Sequence, residues 1–186
     1  MAREVYIDLE MTVIDNFQNG RLVNIERLQA LLSTQYDRLN LRIFSFAIFN
    51  EAHKQDFLER LAPKIEAALG GKIIEVVTIE QMMLADLAYS GVRFDIKNGC
   101  DVTDWLSIRG KVDGFRNYVL NKNATNTHYV LIDDVVPNLK LTYQDTWNML
   151  YYINIDTTKL VKERESMLAA LAEARVRWQT STNQEE

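Results

Sequence analysis

Two acid pairs carry the chemistry this chain could do: Asp8 and Glu10 in "VYIDLEMTVID", and Asp133 with Asp134 in "HYVLIDDVVPN". Each pair follows a short apolar run rich in β-branched residues, the pattern of a buried strand. Open parallel sheets bind ligands in the crevice beyond the carboxyl ends of their strands. If these two strands are neighbours, several carboxylates meet at one edge. Such a cluster repels itself and does not stay fully ionised without a cation, and hard oxygen donors favour Mg²⁺. Lys111, in "GKVDGFRNYV", opens a helix, where the macrodipole disfavours a positive charge by roughly 0.3–1 kcal/mol. A lysine there makes better sense facing an anion, and a phosphate would suit both the lysine and the helix N-terminus. Ser45 places a hydroxyl within the apolar stretch "LRIFSFAIF". Taken singly, each has a blander explanation: an acid after a strand is commonly a solvated residue or a cap, a lysine is commonly exposed, and a serine can simply be buried. Two acid pairs at matching strand ends weaken that explanation.

The elements that must position these groups alternate along the chain. "EVYIDL" reads as a first strand, and Leu22 to Tyr36 sets Ile25, Leu28, Leu32 and Tyr36 on one helical face. "LRIFSFAIF" reads as a second strand. Residues 50–71 then carry Phe57, Leu58, Leu61, Ile65 and Leu69 at helical spacing, with Asn50 as a cap, Pro63 as a kink or break, and Gly70-Gly71 as a stop. "KIIEVVTI" is a third strand, followed by a short helix from Glu80 to about Tyr89. Ser90 to Gly110 shows no clear period and reads as a loop, long enough for a modest flap. A helix carrying Val112, Phe115 and Val119 leads to "HYVLIDD", a fourth strand, and "TWNMLYYINI" suggests a fifth. From Thr158 to about Gln179, Leu160, Met167, Leu171 and Trp178 share a face, with Glu173 and Arg177 spaced as an i,i+4 pair. Strands apolar throughout and alternating with helices imply an α/β fold: a three-layer, Rossmann-like open parallel sheet with an amphipathic C-terminal helix. Residues 1–180 are expected to form one domain, and 181–186 a frayed tail.

Bulk composition narrows the function classes. At 186 residues and 47% hydrophobic, the chain can build one well-packed core. The net charge of −5 is spread along the sequence, which argues against coating nucleic acid by charge alone. One cysteine, Cys100, permits no internal disulfide, and with two histidines it does not supply a typical structural zinc site. No apolar stretch nears the roughly 20 residues needed to span a bilayer, and "MAREVYIDLE" lacks the apolar core of a secretion signal. These features suggest a soluble, cytoplasmic protein without membrane partners.

The ordered set of residues resembles the haloacid dehalogenase-like (HAD) superfamily of phosphohydrolases. Its first motif, Asp-x-Asp-x-Thr/Val, is met by Asp8 and Thr12 in "DLEMTV", with Glu10 in place of the second aspartate. Ser45 matches the second motif, Lys111 the third, and Asp133 with Asp134 the fourth; Asn50 is a second candidate for the second motif. The resemblance spans about residues 3 to 155, and its specificity lies in the four motifs together. It implies Asp8 as a nucleophile that forms an aspartyl phosphate, and Ser45 and Lys111 as phosphate-binding groups. Mg²⁺ would be held by Asp8, the Glu10 main-chain carbonyl and an acid of the Asp133/Asp134 pair. Glu10 would be the general acid and base, its carboxyl displaced by about 1.5 Å relative to aspartate. The short intervals between motifs leave no room for a large cap domain. An open site of this kind suits a phosphorylated macromolecule, a nucleotide or a nucleic-acid end, or closure by a protein partner such as a second copy.

Two other readings compete. A HAD-like scaffold impaired by the Glu10 substitution would act as an interaction protein. Alternatively, "IDLEMT" resembles the first motif of oligoribonuclease and other DEDD-type exonucleases, and His128 to Asp133 has their His-x4-Asp spacing. In those enzymes, however, that histidine and aspartate lie on a helix, whereas "HYVLIDD" reads as a strand.

Overall fold

The computed structural model describes residues 2–35, 40–91, 100–122, 124–142 and 148–156. The chain divides into a compact unit Met1–Ile155, which carries every element below, and a unit Asp156–Glu186. The amphipathic stretch from Thr158 to Gln179 lies outside the described residues, as does Tyr36.

The chain runs β1 (Ala2–Ile7), α1 (Ile25–Gln35), β2 (Asn40–Phe44), α2 (Glu51–Arg60), α3 (Ala62–Leu69), β3 (Lys72–Val77), α4 (Ile79–Ser90), α5 (Cys100–Asn121), β4 (Thr127–Asp133), β5 (Leu139–Thr142) and β6 (Met149–Asn154). The strands form one sheet in the order β3-β2-β1-β4-β6-β5. Every neighbouring pair is parallel except β5 with β6. The α/β reading therefore holds, with a correction at the edge: the sheet is mostly parallel and ends in an antiparallel strand that four residues, Leu-Lys-Leu-Thr, signal too weakly to be read from sequence. β1 and β4 are neighbours, paired from Ala2↔Thr127 to Ile7↔Ile132.

Alternation along the central strands feeds two cores. Val5, Ile7, Leu41, Ile43, Val130 and Ile132 pack with Leu28 and Leu32 of α1 and with Phe57, Ile65 and Leu69 of α2 and α3. Tyr6, Phe44, Val77, Tyr129 and Leu131 pack with Met82 and Met83 of α4 and with Trp105, Phe115 and Val119 of α5. Each large side chain so buried contributes about 1.5–3 kcal/mol. Both faces of the sheet are thereby covered, as runs of apolar strand residues require.

Local signals explain most element ends. The Asn50 side chain caps α2 by accepting from the His53 amide at 3.1 Å. Leu61 and Pro63 divide α2 from α3, and left-handed Gly70 closes α3. Thr78 and Gln81 form a reciprocal capping box at the start of α4. The second strand stops at Phe44 rather than running on to Phe49, because the chain turns: the Ser45 hydroxyl accepts from the Ala47 amide at 3.3 Å.

The expected loop from Ser90 to Gly110 is corrected over its second half, where residues 100–109 are helical; 92–99 lie outside the described residues. Among its described side chains, the fully buried Trp105 is the largest anchor, with Leu106 packed beside the same core, so this half is a packed helix and not a flap. Gly110, with φ 62° and ψ −175°, interrupts α5 and separates segment 100–109 from segment 111–121. Only glycine adopts that geometry readily.

Toward the opposite end of β1 from Asp8, Glu4, Arg42, Glu75 and Lys122 surround the buried Tyr6 hydroxyl. Lys122 Nζ donates to it at 2.6 Å, and Arg42 Nε lies 3.2 Å from Glu75. Two acids and two cations cancel, which accounts for Arg42 and Glu75 among the apolar residues of β2 and β3.

Candidate active site

The Asp8 amide donates to Ile132 O at 2.9 Å, carrying the β1–β4 ladder one residue past the end of β1. The carboxyl is thus fixed against the end of β4, where Asp133 stands. Immediately after, Leu9 O accepts from the amides of Thr12, Val13 and Ile14 in a single helical turn. Ile14 then bridges to Leu22 in a small antiparallel hairpin. Gly20 lets this hairpin lie on the α2–α3 junction: its φ is +63°, and a Cβ there would collide with the Leu61 side chain. Met11 and Asn24 both adopt positive φ, 59° and 54°. The Asn24 side chain clamps the turn by donating to Met11 O at 2.9 Å and to Thr12 O at 3.3 Å. A bulky residue in this backbone region is uncommon and marks a conformation imposed by its surroundings.

Five of the six expected residues come together. Lys111, the first residue after the Gly110 break, donates from Nζ to Asp8 Oδ1 at 2.7 Å and lies 3.2 Å from Asp133 Oδ2. The Ser45 hydroxyl, buried just beyond β2, stands beside the Asp8 carboxylate and favours its charged form. Asp8, Asp133 and Asp134 each offer an oxygen within 4.8 Å of the others. Asn50, the other candidate for the second motif, is committed to its helix cap.

Glu10 does not join them. Its carboxylate is exposed and accepts from the Phe17 amide at 2.9 Å, across the small hairpin.

The electrostatics follow from this packing. Burial pushes the Asp8 carboxyl up to about 6, with Lys111 and the Ser45 hydroxyl opposing the rise and Asp133 adding to it. Burial works against the charged form of Lys111, but Asp8 and Asp133 outweigh it and the ammonium is held above its ordinary value. Three acids and one ammonium leave an excess of negative charge, and the donors are all hard oxygens. That set could hold a hard divalent cation.

A carboxyl whose folded value exceeds its unfolded one contributes most favourably at low pH and loses that contribution as pH rises through the folded value. In metal-free buffer, the stability of wild type minus that of Asp8→Asn should therefore fall by roughly 3 kcal/mol between about pH 4 and pH 7. Denaturant titrations of the two proteins across that range measure it; a difference independent of pH would mean Asp8 titrates near its ordinary value.

Several supporting residues are invisible in a one-dimensional pattern. The Phe46 ring lies under the Lys111 ammonium at 4.5 Å. Asn154, opposite Asp133 in β6, donates to the carbonyls of Asp134 and Val136, and the Val135 amide donates to Asp133 Oδ1 at 2.7 Å. These bonds fix the loop that carries the second acid pair. A cross-strand asparagine of this kind has no spacing signal of its own.

Comparison of the chain with protein-family models, curated proteins and solved structures finds no match. The reading of the site therefore rests on its own geometry. Among the described residues, no helix is long and apolar enough to cross a membrane.

Proposed function

We propose that this chain is a Mg²⁺-dependent phosphohydrolase of the HAD-like type that works through an aspartyl phosphate on Asp8. The observation that carries the reading is the convergence of Asp8, Ser45, Lys111, Asp133 and Asp134 at the carboxyl ends of β1, β2 and β4. An isolated structural ion pair needs neither a second acid nor a hydroxyl on the same carboxylate.

In this reading an Asp8 oxygen attacks the phosphorus of a phosphate monoester, and the bond from phosphorus to the leaving oxygen breaks. Lys111 and Ser45 hold the phosphoryl oxygens where charge builds. Asp8, Asp133, Asp134 and the Glu10 carbonyl would hold Mg²⁺, which supplies charge neutralisation when bound. The leaving oxygen takes a proton from the Glu10 carboxyl. Water then attacks phosphorus, gives its proton to Glu10 and releases Asp8 and phosphate. The substrate class is a phosphorylated macromolecule, nucleotide or nucleic-acid end, since between Asp8 and Ser45 the described chain forms only a turn, a small hairpin and α1.

The test is phosphate release from an aryl phosphate with Mg²⁺, set beside a labelled oligonucleotide. Release that depends on Mg²⁺ and on Asp8 supports the proposal. Mononucleotide release would overturn it in favour of an exonuclease. That alternative has little geometric support: His128 is the second residue of β4 and Asp133 the last, about 16 Å apart at strand rise.

One observation favours the impaired-scaffold reading, namely the engagement of Glu10 with Phe17. To act, its carboxyl must leave that amide and reach back toward Asp8. Glu10→Asp restores the shorter reach and is expected to raise turnover by about 10- to 100-fold, measured as steady-state phosphate release. A fall instead would mean that the longer side chain is the one fitted to this site.

A further inference from the structure

Asp86 of α4 is fully buried, yet it takes no part in the chemistry above. It gathers donors from both sides of the break in α5. Trp105 Nε1 and Arg109 Nε each donate to its Oδ2 at 3.0 Å, and Asn117 Nδ2 donates to its Oδ1. Trp105 and Arg109 belong to segment 100–109, while Asn117 belongs to segment 111–121.

The Trp105 ring also folds back over the second segment. A Cβ on Gly114 would stand 3.1 Å and 3.4 Å from two atoms of the indole, so the absence of a side chain there lets the ring lie against the helix one turn after Lys111. The same indole meets Phe46 edge-on, with centroids 5.9 Å apart, and Phe46 lies under the Lys111 ammonium. From the sheet side, the Tyr152 hydroxyl donates to Val112 O at 2.9 Å, next to Lys111.

We propose that Asp86 and Trp105 form a clamp that sets the angle of α5 at Gly110 and so holds Lys111 Nζ over Asp8 and Asp133. Both are positioning residues. At Gly110 the backbone leaves helical geometry, with φ 62° and ψ −175°, so the direction of the second half depends on what packs against it. A buried carboxylate with three donors from both halves supplies that direction. Its partners leave little freedom, because a buried charge that loses them is strongly disfavoured. The catalytic consequence rests on the phosphohydrolase reading; the placement of Lys111 does not.

The test follows the reactivity of the lysine itself. Metal-free, substrate-free protein is treated with a limiting amine-acetylating reagent, and modification at each lysine is followed by mass spectrometry. In wild type, Lys111 should react slowly, being largely buried against two carboxylates. In Trp105→Phe, which removes the indole N–H and one ring, and in Gly114→Ala, which crowds the indole, its rate should rise several-fold while Lys64 and Lys72, outside α5, stay at wild-type rates. Asp86→Ala should give the largest rise if it folds, and the other two variants decide the matter if it does not. Leu28→Ala, on the other face of the sheet, serves as a destabilised control and should leave Lys111 slow. An unchanged Lys111 rate in folded Trp105→Phe and Gly114→Ala overturns the proposal, as does an equal rise in the Leu28 control. Where wild type releases phosphate, the same two variants should lose about 10- to 100-fold in kcat. Where it does not, the phosphohydrolase reading fails and the labelling result still decides the clamp.

Discussion

Asp8→Asn is expected to abolish phosphate release, lowering kcat by roughly 10⁴- to 10⁶-fold, while leaving the fold intact. Asparagine keeps the size of the side chain and an oxygen for Lys111 and Ser45, but that oxygen is no longer a carboxylate nucleophile. The replacement also removes a charge whose burial is unfavourable, since the Asp8 carboxyl is pushed up by desolvation. Metal-free Asp8→Asn should therefore be at least as stable as wild type at neutral pH. That combination separates loss of chemistry from loss of structure. The measurement is steady-state release from an aryl phosphate beside a thermal melt. Retention of wild-type turnover by a folded Asp8→Asn protein would exclude an aspartyl phosphate on this residue.

Lys111→Met should have the largest effect on stability. The ammonium is the cation paired with both Asp8 and Asp133, and each of those carboxylates is buried. Removing it leaves the two acids facing one another with their mutual repulsion unrelieved. Breaking a buried pair in this way costs about 3–5 kcal/mol, or on the order of 10 °C in Tm for a domain of this size. The loss should be fullest in metal-free buffer at neutral pH. It should shrink with added Mg²⁺, which would replace the missing charge, and at about pH 5, where Asp8 takes up a proton. Denaturant unfolding with and without Mg²⁺ reads all of this. A variant as stable as wild type without metal would mean that the acids are neutralised by other means, and the charge balance drawn for the site would be wrong.

The most legible part of the site was the part written in strand ends. Asp8 and Asp133 terminate apolar runs, and a parallel sheet turns two such runs into neighbours, so their meeting follows from pattern and topology alone. Lys111 was legible because the apolar period of Val112, Phe115 and Val119 starts just after it. Glu10 was not: its spacing from Asp8 says which residue it is, but the amide it accepts from is Phe17, and that contact exists only once the hairpin closes. The helix 100–109 was hidden because a single aromatic anchors it, so no period appears. Asp86 was hidden for a related reason. Its meaning lies in Trp105, Arg109 and Asn117, which come to it from another element. Four-residue β5 was too short to signal itself and is specified by its pairing with β6.

The pairing of β1 with β4 also sets when the site can exist. Asp8 and Ser45 become neighbours as soon as β1 and β2 pair, early in the order of synthesis. Lys111 lies 103 positions from Asp8, and Asp133 is the last residue of a strand further on still. Contacts of such long sequence separation form late and slowly, because the intervening chain must be gathered before they yield any stabilisation. A nascent chain that has not completed β4 holds the first acid and the hydroxyl, but neither the ammonium's second partner nor the second acid pair. Capture of a divalent cation should consequently appear in a refolding experiment only with the last kinetic phase, when the two halves of the sheet have closed on each other.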